Sequence, residues 1–422
     1  MRFQAIVVGG GIVGLSAAWH LIQGGLQQVL VLERYILASG ATGLGTGSVH
    51  TQRWHAIDSA LILRSKRVMR ELSERSGGGF RLYPVGRLTL AGARDESTVR
   101  SYAAHLRAAG VDAVELSPRE VAERFPGVNV ADVAIALHTG DDGVVYPPAL
   151  LWTLAGFFRN AGGTIWEGCE VRRVVVEHRA ARGIELANGD TIESDRVIVA
   201  AGIWTRQILR ASGFDLALKH SVAHTTVVTV GRADLWPRVP SLLDGTQGVI
   251  AIPRNPGTIM ASNAAGEYEA NEETAQAVLE ARSVEVRRAD AVFAERKDTQ
   301  QQNILRQLRH RYKDHDIRGV VGHWAGLLDG TPDSHPYVGP FPKVDALWVG
   351  CGLTGYGVQR GPGVGEVLAQ LALERPLSVD MDAYRLDRFD PTLDFQIDMS
   401  GDNPFEGFRE PREWPALVTD RG

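Results

Sequence analysis

The residues best able to do chemistry stand near the start of the chain. Gly9-Gly10-Gly11-Ile12-Val13-Gly14 fits the pattern G-x-G-x-x-G, and Glu33 lies 19 residues after Gly14. Gly9 permits a tight turn, Gly11 lets backbone approach a pyrophosphate, and Gly14 lets a helix pack close to a strand. A helix that begins at this turn offers free N–H groups and partial positive charge to phosphates. Glu33 can accept hydrogen bonds from a ribose diol. Together these residues read as a dinucleotide site. Elsewhere the chemistry is sparse. No Ser-His-Asp, Cys-His or paired-carboxylate constellation stands out. Cys169 and Cys351 have neither disulfide-framework nor metal-ligand spacing, and each reads as a small buried hydrophobe. Arg306, Arg309, Arg311 and Lys313 form a basic cluster that reads as a solvated helix face.

The elements around the glycines suit that site. Ala5–Val8 is a continuous apolar run, as expected of a strand buried on both faces. Leu15, Ala18, Trp19, Leu21 and Ile22 follow at helical spacing, and Gly24-Gly25 stops them. Val29–Leu32 is a second strand that ends at Glu33. The Gly-rich stretch Ser39–Ser48 suits backbone wrapped closely around a flat cofactor. Ala56–Arg75 reads as a helix and Arg87–Ala91 as a strand. Arg100–Ala109 and Pro118–Arg124 read as helices, the latter capped by Ser117. A further helix is expected from Ala149 to about Ala161. Val171–Glu177, Gly183–Leu186 and Thr191–Glu193 form a small antiparallel set with a turn at Asn188-Gly189. Arg196–Trp204 holds another buried strand. From about 215 to 325 the character changes, with strand-like runs at Thr225–Val230 and Gly248–Ile252 and a polar helical stretch near Glu272–Val286. Ala346–Gly352 is again a buried strand running into glycines. Gly361-Pro362-Gly363-Val364-Gly365 is expected to open a helix to about Glu374, with Pro362 in its first turn.

Composition bounds the answer. The chain has 422 residues, enough for two or three units. It is 44% hydrophobic and 23% charged, which excludes a disordered chain. The net charge of -5 gives no global reason to bind nucleic acid. The 47 glycines exceed the usual share of about 7%, so many backbone positions are expected to be tight. No apolar run reaches the roughly 18 residues of a membrane span. Met1–Val8 leads into a core strand without the regions of a signal peptide, so the cytoplasm is the expected compartment.

In this order the pieces resemble the FAD-dependent family that includes D-amino-acid oxidase, glycine oxidase and sarcosine oxidase. Gly9 to Glu33 is followed by the Ser39–Gly47 loop, Gly143-Val144-Val145-Tyr146-Pro147 and Val199–Trp204. The strongest match is Thr331-Pro332-Asp333-Ser334-His335-Pro336, then Gly339-Pro340, Gly352-Leu353-Thr354-Gly355-Tyr356-Gly357 and Gly361–Gly365. Tyr384–Phe389 is similar to the sequence that closes the sarcosine and dimethylglycine branch. The resemblance spans roughly residues 1–390. It implies an α/β fold in which a Rossmann-like FAD-binding domain is interleaved with an α+β substrate domain built on an antiparallel sheet. The FAD-binding domain would comprise 1–85, 145–215 and 325–390, and the substrate domain 86–144 and 216–324. Residues 391–422 would form a tail that wraps the surface or meets another subunit.

The resemblance also implies the reaction. A small amine or amino acid, N-alkyl or D-configured, loses hydride from the carbon beside its neutral nitrogen to flavin N5. The imine that remains is hydrolysed by water. Flavin carries the hard step, which accounts for the sparse catalytic residues. FAD contacts are expected from Gly9, Gly11, Ile12, Val13, Gly14, Glu33, Arg34, Thr42, Gly43, Gly47, Ser48, Val171, Ala201, Gly202, Trp204, Gly326, Gly352, Thr354, Gly355, Tyr356, Gly357 and Val358. The helix near Gly363 would point its positive end at the flavin. No metal is expected.

An amino-acid substrate needs a cation for its carboxylate, and arginine is best suited. His50 stands where the family often carries a substrate-binding arginine, with Arg53 nearby. Gln359 stands where sarcosine-oxidising enzymes use a lysine, and Arg360 follows it. His50, Arg53 and Arg360 are therefore the candidates, with Tyr356 lining the pocket. Gly326 stands where some members attach flavin to a cysteine, so FAD is expected to be non-covalent. Met260 stands in place of an oxygen-activating lysine, which implies a dehydrogenase or a slow oxidase. Two alternatives stay open: an FAD-dependent 2-hydroxy-acid dehydrogenase, and a non-catalytic FAD-binding subunit of a larger complex. The expected partner is a small amine or amino acid, not nucleic acid, and a homo-oligomer or partner subunit is left open.

Overall fold

Ala5–Val8 is fully buried because it lies inside a six-stranded sheet covered on both faces. The strand order is Tyr337–Pro340, Leu347–Cys351, Val197–Val199, Ala5–Val8, Val29–Leu32, Thr164–Trp166. All neighbours are parallel except the first pair. Alternate residues serve opposite cores. Ala5, Val7, Val29 and Val31 pack against helices, including Ile12–Gln23 and Gly357–Ala372. Ile6, Val8, Leu30 and Leu32 pack against a four-stranded sheet of Arg2–Phe3, Thr191–Ser194, Ala180–Leu186 and Val171–Glu177. The computed structural model describes residues 1–53, 56–231, 236–263, 294–377, 379–395 and 397. The helical stretch expected near 272–286 and nearly all of the tail lie outside the described residues.

A second sheet has eight strands. Their order is Ile317–Gly330, Lys219–Val230, Thr258–Asn263, Val249–Asn255, Ser241–Asp244, Arg87–Ala91, Ile135–Thr139, Val114–Leu116. It is antiparallel except where Ser241–Asp244 runs parallel to Arg87–Ala91. Leu88, Leu90, Leu242, Val249 and Ala251 face a core shared with Ile304 and Leu308 of the Ala294–Arg311 helix. Period-two alternation turns Arg87, Ile250 and Ile252 the other way. The basic cluster at the end of that helix is only partly a solvated face. Arg306, Arg309 and Lys313 are exposed, but Arg311 is fully buried. Its Nε donates to Asp244 at 2.6 Å, and its Nη2 pairs with Asp132 at 3.0 Å.

The C-terminal helix starts earlier than expected. It runs Gly357–Ala372, so Pro362 sits inside it. The glycines around the proline mark close helix contacts rather than a helix start. A Cβ on Gly361 would meet Ile12 at 2.6 Å, one on Gly365 would meet Ser16 at 2.5 Å, and one on Gly363 would meet the Leu61 carbonyl at 2.5 Å. Ser16 Oγ donates to the Pro362 carbonyl at 2.8 Å, on the face where the two helices meet.

Buried charge ties these parts together. Asp58, on the Ala56–Arg75 helix, is fully buried. Arg360 Nη1 reaches both of its oxygens at 3.0 Å, and Arg53 Nη2 reaches one at 3.1 Å. The Tyr384 hydroxyl donates at 3.2 Å, and His335 Nδ1 lies 3.4 Å away. The Tyr356 ring lies 4.0 Å from the Arg53 guanidinium and 5.4 Å from that of Arg360. Burial alone would push the Asp58 carboxyl up. Arg360, the His335 hydrogen bond and Arg53 together hold it well below the usual carboxylate range.

Asp58→Asn leaves two buried arginines without this counter-charge and should cost about 3–5 kcal/mol at neutral pH. The folded-state value is depressed, so this stability is present above the unfolded value of about 3.9 and is lost as pH falls through the folded one. Urea denaturation of both proteins should therefore show a gap that narrows towards acid pH. A gap that is absent, or constant with pH, would contradict the role given to Asp58.

Candidate functional site

A cavity of about 650 Å³ lies between the carboxyl ends of the parallel strands and the outer face of the eight-stranded sheet. Val8, Leu32, Ala200 and Gly350 line it from the strand ends, and Arg87, Ile250, Ile252 and Ser262 from the sheet. Open α/β sheets bind ligands in such a crevice.

One group of lining residues surrounds the glycine turn. Gly9 has φ +109°, and a Cβ there would meet the Ala200 carbonyl oxygen at 2.3 Å. That glycine is required by the chain itself. Gly11 differs: its φ is -75°, and a Cβ would meet only Thr42 Oγ1 at 3.4 Å. Gly14 lies behind the cavity, where a Cβ would meet the Gly9 carbonyl at 2.0 Å. Ile12 and Val13 line the cavity in the first turn of the helix, and the Ile12 N–H donates to Thr42 Oγ1 at 3.2 Å. Glu33 lines it too and accepts from the Gly10 and Tyr35 N–H groups, both at 2.9 Å. Burial pushes its carboxyl up against those hydrogen bonds. Arg34 pairs with Glu170 at 3.2 Å and lies 5.4 Å from the Trp204 ring. Val171, Ala201, Gly202, Gly47 and Ser48 also line the cavity. Gly43 does not: it closes the turn against the Ala38 carbonyl.

A second group surrounds the start of the C-terminal helix. Thr354, Gly355, Tyr356, Gly357 and Val358 line the cavity with Gly326 and His50. A Cβ on Gly357 would meet no protein atom within 4 Å. Gly352 lies behind, packed on Thr331. The His50 N–H donates to Gln359 Oε1 at 3.2 Å, and its ring meets Tyr356 edge-on at 6.3 Å. Burial, helped by Arg87 and Arg53, holds the imidazole well below its ordinary value. His50 is therefore neutral at neutral pH and supplies no cation. Arg53 and Arg360 do not line the cavity, because Asp58 holds both behind it. Met260 is not a lining residue either. It packs with Val85, Val144 and Ile252, and Ser262 two residues on faces the cavity.

Sequence reasoning missed Arg87. Its alternation with Leu88 and Leu90 puts it on a polar sheet face, which reads as solvent when the covering layer is unknown. In the fold that face is a cavity wall, and Arg87 is buried in it.

Buried polar atoms without a partner among the described residues gather here. They include Arg34 Nε, Ser48 Oγ, His50 Nδ1, Arg87 Nε and Nη1, Trp204 Nε1 and Gln359 Nε2, and all these residues line the cavity. Each such group costs about 1–3 kcal/mol unless a ligand satisfies it. Two helix N-termini open on the same space and favour negative charge. The donor set and the Cβ-free wall at Gly11 and Gly357 fit a dinucleotide with a flat ring. Among the described residues no cluster of His, Cys, Asp or Glu could hold a metal. No described helix is long and apolar enough to cross a membrane.

Comparison with known proteins agrees with this geometry. Sarcosine dehydrogenase, mitochondrial, from Homo sapiens is 28% identical over 397 residues, covering 92% of this chain and 42% of that protein. The chain thus spans less than half the length of that relative. Peroxisomal sarcosine oxidase from Mus musculus is 25% identical over 397 residues, covering 92% and 96%. The fold matches the crystal structure of L-proline dehydrogenase from P. horikoshii with a TM-score of 0.77 at 20% identity, covering 92% and 98%. The family description DAO, FAD dependent oxidoreductase, matches residues 4–371, and the chain belongs to that family.

Proposed function

We propose that this chain oxidises the C–N bond of a small amine or amino acid, with FAD as its cofactor. The observation that carries the reading is the ring of unpartnered polar atoms around a cavity at the strand ends. The similarity to enzymes named for sarcosine supports the amine class.

Gly9, Gly11, Ile12, Val13 and Thr42 would hold the diphosphate, and Glu33 the adenosine ribose. Arg34, Val171 and Trp204 would flank the adenine. Ser48, Gly326 and Thr354–Val358 would surround the flavin ring. Bound FAD supplies the hydride acceptor. The chain's own residues do the rest. The N-terminus of the Gly357–Ala372 helix favours negative charge beside it. Neutral His50 offers one hydrogen bond and no charge. Ile250, Ile252 and Trp324 line the opposite wall and exclude water. The six- and four-stranded sheets would then bind FAD, and the eight-stranded sheet would present the substrate. Both cysteines are free thiols, which suits work in the reducing cytoplasm.

Two outcomes test this reading. Gly11→Ala should fold with an unchanged melting temperature when stripped of cofactor, yet fail to retain FAD. Retention of FAD at the wild-type level would contradict the diphosphate placement. Without oxygen, the visible flavin absorbance should bleach with one amine class from sarcosine, dimethylglycine, glycine, proline and D-alanine. The rate should rise with pH as the substrate amine loses its proton. Flavin that dithionite reduces but no amine does would point to a non-catalytic subunit, and bleaching by 2-hydroxy acids instead would replace the amine reading.

A further inference from the structure

We infer that Arg87 is the anchor for a substrate carboxylate, so that the cavity selects α-amino acids over amines without one. The inference rests on the amine-oxidation reading and narrows its substrate class.

Charge balance leads to Arg87. Three arginines line the cavity among the described residues: Arg34, Arg87 and Arg172. Arg34 pairs with Glu170 at 3.2 Å, and Arg172 with Glu185 at 3.1 Å. Arg87 has no such carboxylate among the described residues. Its Nε and Nη1 are buried without a hydrogen-bond partner, and the residue is only 3% exposed. Asp142 attracts it at longer range, but the Asp142 oxygens already have other partners. They accept from the Thr51 N–H and hydroxyl at 2.9 Å, from Lys66 at 3.1 Å and from the Thr139 hydroxyl.

A buried cation without a counter-charge carries a desolvation penalty of several kcal/mol that no ion pair offsets. A fold that keeps one beside a cavity calls for an anion from outside. The backbone around Arg87 is well held. Its strand pairs with Ser241 on one side and Thr139 on the other. The carbonyl of Arg87 accepts from Gln52 Nε2 at 3.2 Å. Burial pushes the guanidinium down to about 10, so it is still charged at neutral pH. The apolar neighbours Ile250 and Ile252 strengthen any ion pair formed there. Arginine's fork matches a carboxylate in a bidentate way. Gln52, which holds the Arg87 carbonyl, lies two residues from His50, so Arg87 belongs to the His50 end of the cavity rather than to the Glu33 end.

The test uses the FAD-loaded wild type, Arg87→Lys and Arg87→Gln, titrated with propionate and its uncharged counterpart propionamide. Binding is read from the flavin spectrum and from the shift in melting temperature. Arg87→Gln should weaken propionate about 10- to 100-fold, leave propionamide unchanged, keep its FAD, and melt no lower than wild type without ligand. Arg87→Lys should fall between. For the oxidised amino acid, KM should rise more than kcat falls. Unchanged propionate binding would overturn the inference. Loss of FAD would instead make Arg87 a cofactor contact, and a lower melting temperature in both variants would make it structural. The binding, FAD-retention and melting readouts need no turnover, so they fail separately from the amine reading, which fails if no amine bleaches the flavin.

Discussion

Asp58 is the carboxylate on which the arrangement of this site depends. Two arginines, a tyrosine and a histidine converge on it from four other segments of the chain. Such a cluster is weak evidence for net stability, because desolvation offsets most of the attraction. Its value here is geometric. It fixes the Thr51–Arg53 segment, the Thr331–Pro336 loop and the C-terminal helix against one another. That helix carries the N-terminus that opens on the cavity, so the charge cluster sets where the cavity wall stands.

The same cluster decides the electrostatics of the cavity. Arg53 and Arg360 are neutralised behind the wall, and burial keeps His50 uncharged. Arg87 is left as the cation without a close counter-charge among the described lining arginines. In the helical layer, the close contacts of Gly361, Gly363 and Gly365 bring three helices together. They set the two helix N-termini side by side. Packing of small residues thus becomes positive potential at one place, and that place lies at the carboxyl ends of the parallel strands.

Much of this was legible in the sequence, for physical reasons that differ by element. Ala5–Val8, the glycine turn and Glu33 could be read because each residue type answers a local demand. The segments around Gly326 and Thr354–Val358 could be read by resemblance, since their order is distinctive. What stayed hidden depends on distant partners. Arg53, Arg360 and Arg311 looked available, and nothing local shows that Asp58, Asp132 and Asp244 reach them. Asp58 itself sits in the first turn of an amphipathic helix, where an acid ordinarily serves the helix dipole. Pro362 looked like a helix start because proline is common there, while its glycine neighbours were answering the approach of other helices. Arg87 stands at the start of a segment that the sequence marks only as a strand, and the wall it belongs to depends on a layer distant in the chain.

The most direct test of the account is a crystal structure of the FAD-loaded protein with propionate bound. The carboxylate should lie on the Arg87 guanidinium at about 2.7–2.9 Å, the flavin ring among Ser48, Gly326 and Thr354–Val358, and Asp58 should still hold Arg53 and Arg360. A carboxylate held by Arg53 or Arg360, with the Asp58 cluster opened, would contradict it.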